Sequence, residues 1–216
     1  MTQDLIAGEF KTPKGNPIKL CYRPDTFDYA VIVQTLEHDE YGLAALDLQG
    51  WAFDLGGYIG SVSVALAIDN PGLKVLAVEP IPENWKLIER NAELNGVADR
   101  VKIVNGAVGL SKTMVPQKAK ISYNTNAPSG KVGIQSDSEV GNALKVDCFG
   151  MGELQWYADK QIPSFVKMDI EWGEYAVLSD PLFQHVPIIY GEYHPVKEGG
   201  QAVIQSLLGN THDLTF

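Results

Sequence analysis

A glycine-rich turn between an apolar strand and a helix is the feature that most constrains how this chain folds. Residues 51–55 (WAFDL) have the composition of a short buried strand, and residues 61–67 (SVSVALA) are predicted to form a helix. The turn between them contains three glycines, which let the backbone turn tightly and let a ligand approach the main chain. The junction predicts the start of an α/β unit with a ligand pocket at its turn.

The alternation of strand and helix continues beyond this junction. The segment 74–79 (KVLAVE) is apolar on both faces, which is typical of a buried parallel strand. A helix is predicted to begin at Pro82 and to end at Gly96. Together they predict an α/β fold with a Rossmann-like, doubly wound and mostly parallel sheet. Further strands are predicted at 101–104, 165–170, 186–193 and 214–216, with a helix at 201–208.

The segment before the first buried strand is predicted to be a small flank. Residues 8–23 have the pattern of a hairpin, and Asp25 is predicted to cap a helix that runs from about Phe27 to Leu36. We therefore divide the chain into an N-terminal hairpin and helix flank, residues 1–48, and a cofactor-binding domain, residues 49–216. Residues 110–146 have no legible pattern of regular structure, and their turn-rich part is typical of a functional loop.

Composition excludes several classes of partner. The chain has 216 residues and a formal net charge of -10, so it repels phosphate backbones, and nucleic acid is not a predicted partner. No apolar run is long enough to cross a bilayer, and the first residues do not resemble a signal peptide, which predicts a cytoplasmic protein without a membrane partner. Cys21 and Cys148 fit no metal or redox spacing and are predicted to be ordinary buried thiols.

Polar side chains follow the predicted strands at the ends where ligands bind in an open parallel sheet. Acids that end apolar strands are costly to bury unless they meet partners or ligand groups. We therefore expect a ligand site at this edge of the sheet. The residues concerned are Asp54, Glu79, Asn105, Asp169 and Glu192.

The turn favours S-adenosyl-L-methionine over a dinucleotide as the ligand. A dinucleotide fingerprint is G-x-G-x-x-G, whereas residues 54–60 are DLGGYIG and lack the third glycine in register. Asp54 would repel a pyrophosphate but tolerates the ammonium and sulfonium groups of S-adenosylmethionine. Glu79 lies about 20 residues beyond the turn, which is the position expected for an acid that binds ribose hydroxyls.

Five segments in order resemble the motifs of the FkbM family of class I methyltransferases. The last of them resembles the family motif K-x-D-x-E-G-x-E, and the whole resemblance covers most of residues 25–195. Two positions depart from the family pattern: Tyr58 replaces a common Asn, and Trp172 replaces a Gly. The five segments are 54–60 (DLGGYIG), 78–84 (VEPIPEN), 91–96 (NAELNG), 105–109 (NGAVG) and 166–174 (VKMDIEWGE).

The resemblance implies methyl transfer from S-adenosylmethionine to a hydroxyl of a sugar or a small natural product. By position, the turn would shape the methionine end of the site, Glu79 would hold the ribose, and Asn105 with Ala107 would face the adenine. The acceptor would be a small molecule or a glycan. The implied cofactor-binding residues are Asp54, Gly56, Gly57, Tyr58, Gly60, Glu79, Pro80, Asn105, Ala107 and Asp169.

Three residues are candidates for the chemistry on the acceptor. A hydroxyl acceptor benefits from a base, and His194, after the predicted fifth strand, is the candidate. A structural or solvent-facing histidine is the alternative reading. Asp169 and Glu171 alternate at a strand end and so point to one side, where they could orient the acceptor or bind a divalent metal such as Mg²⁺, which prefers oxygen ligands. No metal site is predicted, because the sequence shows no complete ligand set.

Two other functions fit part of the sequence. A NAD-dependent oxidoreductase shares the fold and the acid at Glu79, but the missing glycine disfavours it. A non-catalytic protein that keeps the fold and binds the cofactor is the second alternative, because Tyr58 and Trp172 place bulk near the site. Methylation of nucleobase amino groups is disfavoured, because residues 169–172 are DIEW rather than an N-P-P-Y type of motif.

Overall fold

The fold begins with the predicted hairpin and helix. The computed structural model describes residues 4–109, 117–123, 133–134, 142–170, 173–194 and 200–215. Strands β1 (Ile6–Lys11) and β2 (Pro17–Tyr22) pair antiparallel and are followed by helix α1 (Asp28–Leu36). The predicted cap was wrong: α1 begins after Phe27, and Asp25 stands earlier in a left-handed conformation with φ of 58°.

The middle of the chain forms two strand–helix units and a fifth strand. The second helix of this region begins at Pro82, as predicted, with Glu83 near the positive end of its dipole. A short 3₁₀ helix, Leu43–Ala45, precedes the first of these strands. The elements are β3 (Gly50–Leu55), α2 (Ser61–Asp69), β4 (Leu73–Glu79), α3 (Pro82–Leu94) and β5 (Val101–Asn105).

A small second sheet follows, which the sequence did not predict. In this sheet β9 lies between β6, to which it is parallel, and β7, to which it is antiparallel, and β8 pairs with the other edge of β7. Ala107, Val146 and Cys148 form a small apolar cluster on it. The elements are β6 (Ala107–Val108), β7 (Gln117–Tyr123), β8 (Gly133–Ile134), β9 (Asn142–Phe149) and then helix α4 (Met151–Tyr157).

The last part of the chain returns to the main sheet. Both of its strands are shorter than predicted, and the strand expected at 214–216 does not form at Leu214 and Thr215, while Phe216 lies outside the described residues. The elements are β10 (Phe165–Met168), α5 (Glu174–Leu178), a 3₁₀ helix (Pro181–His185), β11 (Ile189–Gly191) and α6 (Gly200–Leu208).

The main sheet is parallel and has the order β11-β10-β3-β4-β5. From β3 the chain winds outward through β4 to β5, and it then crosses back to β10 on the other side of β3. The winding direction therefore reverses between β3 and β10, and such a switch point opens a crevice at the carboxyl ends of the strands. This order confirms the predicted Rossmann-like, doubly wound α/β fold.

The sheet separates two apolar layers. Side chains alternate along each strand, so Ala52 and Ala77 face one layer while Phe53 and Leu76 face the other. The first layer joins the sheet to the hairpin and to α1, α2 and α3, and the second joins it to α4, α5 and α6. The N-terminal flank therefore shares its core with the domain.

Two expectations about individual segments were also examined. Cys21 and Cys148 are both buried free thiols, as predicted. Within the ranges described above, no helix combines the length and the apolar character that crossing a membrane requires.

Candidate functional site

The glycine turn between β3 and α2 lies at the switch point. The N–H groups of Gly56 and Gly57 both donate to the carbonyl oxygen of Val78, at 2.9 and 3.0 Å, which fixes the turn to the end of β4. Gly56 has φ of 84°, and a Cβ at this position would overlap the carbonyl oxygen of Asp169. A side chain is thus excluded on both conformational and steric grounds, and the turn presents bare backbone at the crevice.

Glu79 ends β4 beside this turn. Its Oε2 accepts from the Tyr58 N–H at 2.9 Å, and its Oε1 accepts from the Ile81 N–H at 2.9 Å and from Asn84 Nδ2 at 3.2 Å. Burial raises the pKa of Glu79 to about 7, although these three hydrogen bonds act to lower it. The carboxyl group is held rigidly at the position predicted for the acid that binds ribose.

Asp54 lies beneath the turn and has no exposed surface. Its Oδ2 accepts from Ser63 Oγ at 2.5 Å, and its Oδ1 lies 3.5 Å from Lys167 Nζ. Lys167 is the register partner of Asp54 on the adjacent strand β10, and its Nζ also donates to the Gly56 carbonyl oxygen at 2.8 Å. Asp54 therefore acts on the turn from below, through Lys167, rather than lining the crevice.

Lys167 is a site residue that the sequence reasoning missed. It is 4% exposed, and its Nζ lies 5.4 Å from the centre of the Tyr41 ring. A buried lysine requires a counter-charge, and Asp54 supplies it. The sequence did contain a sign of this role, because Lys167 is the lysine of the motif K-x-D-x-E. A lysine in an otherwise apolar strand indicates an acidic partner on a neighbouring strand.

Tyr58 turns away from the crevice and joins the site to the N-terminal flank. Its hydroxyl donates to Asp28 Oδ1 at 2.6 Å. Arg23 binds both oxygens of the Asp28 carboxylate and donates to Asn84 Oδ1 at 2.8 Å, and Asn84 in turn donates to Glu79. A continuous polar network therefore runs from the flank to the carboxyl group of Glu79.

The backbone conformation of Tyr58 explains why Asn is common at this position in the FkbM family that the sequence resembles. Its φ is 49°, in the left-handed region, which Asn adopts more readily than other residues with a side chain. Burial raises the pKa of the Tyr58 hydroxyl, and the hydrogen bond to Asp28 raises it further. The hydroxyl thus stays protonated and donates, and the network offsets the cost of the unusual backbone.

Asp169 and His194 meet at the other side of the switch point, together with Glu192. Asp169 follows β10, and the other two follow β11, which pairs with β10 in parallel. Each of the three side chains has one oxygen or nitrogen atom that could bind a metal, and these three atoms lie within 4.8 Å of one another. The structure therefore brings together two of the three predicted catalytic residues and adds Glu192, which the sequence had marked only as a strand-end acid.

Charge is crowded at these strand ends. Burial, then the negative charge of Asp169, then a hydrogen bond with Glu40 raise the pKa of Glu192 to about 7, while His194 lowers it. His194 Nδ1 lies 3.0 Å from Oε1 of Glu174, which is fully buried at the start of α5. Glu174 thereby fixes the orientation of the imidazole ring.

The remaining predicted residues are placed as follows. Asn105 is the register partner of Glu79 and is exposed at the end of β5, whereas Pro80 and Ala107 are buried beside it. Gly60 caps α2 with φ of 87° and packs on Ile88 of α3. Glu171 and Trp172 lie outside the described residues, as does much of the segment 110–146.

Comparison with known proteins identifies a family profile and a curated protein that are similar to this chain. The family profile described as "Methyltransferase FkbM domain" matches residues 54–215. Methyltransferase sdnD from Sordaria araneosa is 26% identical over 147 residues, which are 68% of this chain and 52% of that protein. The chain thus spans about half the length of the curated relative that it matches.

Two solved structures are also similar. A SAM-dependent methyltransferase from Geobacter sulfurreducens, in complex with S-adenosyl-L-homocysteine, is 25% identical with a TM-score of 0.29, over 32% of this chain and 27% of that one. The precorrin-6y C5,15-methyltransferase from Geobacter metallireducens is 16% identical with a TM-score of 0.46, over 82% of this chain and 71% of that one.

Proposed function

The chain belongs to the FkbM family of methyltransferases, and from this premise we propose that it methylates a hydroxyl group of a sugar or another small molecule. S-adenosylmethionine is the methyl donor of such enzymes. The observation that carries the proposal is the buried carboxyl group of Glu79, which three hydrogen bonds hold beside a side-chain-free turn at the switch point. A methyl donor with a ribose and a cationic end fits this pairing of a carboxyl group with an open turn.

The residues of the crevice fit S-adenosylmethionine group by group. The remaining acceptor capacity of the Glu79 carboxylate suits the ribose hydroxyls, and the bare backbone at Gly56 permits close approach of the ligand. Asp54 and Lys167 neutralise each other below the turn, so the turn keeps its shape whether or not the cationic ligand is bound. Asn105 is exposed next to Glu79, which suits the adenine-side role that the family implies.

The strand-end residues suit the acceptor step. When bound, the cofactor supplies an electrophilic methyl group, and transfer requires the acceptor oxygen in line with it. The Asp169 backbone touches Gly56, so its side chain and that of His194 lie at the edge of the same crevice. We assign to them the orientation of the hydroxyl and the loss of its proton, with Glu174 holding the ring of His194.

Transfer of a labelled methyl group tests this proposal. The protein is incubated with tritium-labelled S-adenosylmethionine and separate pools of sugars, hydroxylated small molecules and amines. We expect label in a hydroxyl-bearing product with the wild type and at most about a hundredth of that rate with Asp169→Asn. His194→Ala should lose rate to the same extent and keep its affinity for S-adenosylhomocysteine within about twofold of the wild type, because His194 is not among the residues implied to bind the cofactor.

The same assay separates the alternatives. Label that appears only in amine-bearing acceptors, or an unchanged rate in Asp169→Asn, contradicts the assignment of hydroxyl methylation to these residues. Tight binding of S-adenosylhomocysteine without transfer to any pool would favour the non-catalytic alternative. Membership of a methyltransferase family disfavours the NAD-dependent alternative.

A further inference from the structure

A cluster of three side chains at the edge of the crevice could bind a metal ion as well as act as a base. It consists of Asp169, Glu192 and His194. Two carboxylates and one imidazole each place a donor atom within 4.8 Å of the others. Donor atoms around a small divalent cation are about 3 to 4 Å apart, so these three side chains need to move by less than about 1 Å to surround one. The cluster lies at the carboxyl ends of two adjacent parallel strands, so rigid elements hold all three residues.

The buried Glu174 provides independent support for a metal ligand at His194. A carboxylate only accepts, so the 3.0 Å contact with Glu174 Oε1 places the proton on Nδ1 of His194. The nitrogen directed to the cluster is then Nε2, which lies 4.0 Å from Glu192 Oε2. A carboxylate that fixes the tautomer and orientation of a histidine from behind is the usual support of a metal-binding histidine.

The charge of the cluster also favours a cation. Glu40 lies close enough to Glu192 to raise its pKa, so a third carboxyl group stands beside the cluster. In the part of the chain that the structure describes, neither Asp169 nor Glu192 forms an ion pair with a lysine or an arginine. Carboxylates gathered in this way repel one another unless a proton or a cation lies between them, and a divalent cation can bind several of them at once.

We propose that Asp169, Glu192 and His194 bind one divalent cation at the edge of the cofactor crevice. The mixed oxygen and nitrogen ligands suit an ion such as Mn²⁺ better than Mg²⁺, which prefers oxygen ligands alone. The inference rests on the proposed function and changes one role within it: His194 becomes a ligand of the cation and no longer takes the acceptor proton itself. A hydroxyl acceptor that coordinates the cation loses its proton to solvent more easily, so His194 serves as a ligand and the cation takes the place of a free base.

Titration of Mn²⁺ into the full chain, freed of metals by chelation, tests the site. Electron paramagnetic resonance reports free Mn²⁺, and calorimetry reports the stoichiometry. We expect one ion per chain in the wild type and loss of that binding in Glu192→Gln and His194→Ala. Glu174→Gln should weaken binding about 10- to 100-fold, because it removes only the support behind the histidine.

Two matched variants serve as controls. Glu37→Gln and His185→Ala remove an exposed acid and an exposed histidine elsewhere and should leave Mn²⁺ affinity unchanged. Glu192 is exposed, so its substitution should leave the fold intact. Circular dichroism checks this for every variant.

The affinity for S-adenosylhomocysteine, measured on the same samples, separates the two proposals. A wild type that binds this ligand but no stoichiometric Mn²⁺, or Mn²⁺ binding that survives in Glu192→Gln, overturns the cation site and leaves the methyltransferase proposal standing. Mn²⁺ binding at these residues in a protein that does not bind S-adenosylhomocysteine supports the cation site and overturns the proposed function.

Discussion

Gly56 is the residue whose backbone the site depends on most directly. It combines a positive φ of 84° with a position at which a Cβ would overlap the main chain of Asp169. Backbone on the opposite strand end cannot move aside as the tip of a flexible side chain would. The sequence predicted a tight turn at this glycine. It could not show that a side chain there would collide with the strand end that carries Asp169.

The substitution Gly56→Ala should therefore separate the turn from Asp169. We expect a loss of about 3 kcal/mol or more of unfolding free energy, together with loss of S-adenosylhomocysteine binding. Gly96→Ala is the matched control, because Gly96 also has a positive φ but has no neighbouring atom within 4 Å of a Cβ. It should cost about 1 kcal/mol and leave binding unchanged. Equal losses of stability in the two variants, measured by urea unfolding, would refute the steric account.

The carboxyl group of Glu79 predicts a pH dependence of cofactor binding. Its pKa of about 7 lies above the ordinary value of 4.5, so the free protein favours the protonated form up to neutral pH. Folding stability from this group is thus full below pH 4.5 and is lost as the pH rises through 7. Binding has the opposite sign, because the ionised carboxylate accepts a hydrogen bond from the ribose more strongly than the protonated group does.

Affinity for S-adenosylhomocysteine should therefore rise with pH. Between pH 6 and pH 8 the ionised fraction of Glu79 grows about tenfold, which sets the expected gain in affinity. Calorimetry in buffers of different ionisation enthalpy should also detect proton release on binding near pH 7. The variant Glu79→Gln should lose this dependence, whereas Glu192→Gln should keep it. A wild-type affinity that is flat across this range would contradict the assignment.

At the scale of elements, the N-terminal flank supports the site through a buried ion pair. Asp28 has no exposed surface, and Arg23 is its only cationic partner among the described residues. Through Tyr58 and Asn84 this pair is connected to both oxygens of Glu79. Hydrogen bonds therefore connect the flank to the residue proposed to bind the ribose.

The variant Arg23→Ala leaves the Asp28 carboxylate buried without a counter-charge. We expect a loss of about 3 to 5 kcal/mol in unfolding free energy, and weaker binding of S-adenosylhomocysteine at temperatures where the variant is folded. Lys19→Ala is the control, since Lys19 and Glu9 form an exposed ion pair worth at most about 1 kcal/mol. If Arg23→Ala costs no more than Lys19→Ala in chemical unfolding, the pair does not hold the flank to the site.

The buried strands of the main sheet were the elements that the sequence predicted best. The strands β3, β4 and β5 are apolar along most of their length, and their predicted bounds differ from the observed ones by about one residue. In contrast, β7 (QKAKISY) and β9 (NALKVDCF) mix charged and apolar residues, and they pair with each other in a small separate sheet. Charged residues interrupt the apolar pattern of both strands, so local periodicity did not predict them.

The same distinction holds for the candidate site. Residues that act through their own backbone or strand position, such as Gly56, Glu79 and Asp169, were predicted from the motifs. The partners that orient them were not, because Lys167, Glu174 and Arg23 act through contacts across strands and between segments far apart in the chain. The pairing of β3 with β10 and of β10 with β11 brings Lys167 and Glu174 into reach. Arg23 reaches the site because the N-terminal hairpin packs on α3.

At the scale of the whole molecule, the reversal of winding between β3 and β10 organises the function. One side of the crevice carries the turn and Glu79, which suit a ribose and a cationic tail. The other side carries Asp169, Glu192 and His194, which suit an acceptor hydroxyl. A donor and an acceptor bound on the two sides of one crevice would meet near Gly56, the residue that packs on Asp169.

Calorimetric titration with S-adenosylhomocysteine, with NAD⁺ as a parallel ligand, distinguishes a methyl-donor pocket from a dinucleotide pocket. We expect the wild type to bind one S-adenosylhomocysteine per chain and not to bind NAD⁺. We also expect Glu79→Ala to lose affinity for S-adenosylhomocysteine by about a hundredfold, since a charge-assisted hydrogen bond to the ribose is removed together with the group that holds the Tyr58, Ile81 and Asn84 donors in place. Full affinity in Glu79→Ala, or tighter binding of NAD⁺ than of S-adenosylhomocysteine by the wild type, would contradict the assignment of a methyl-donor pocket.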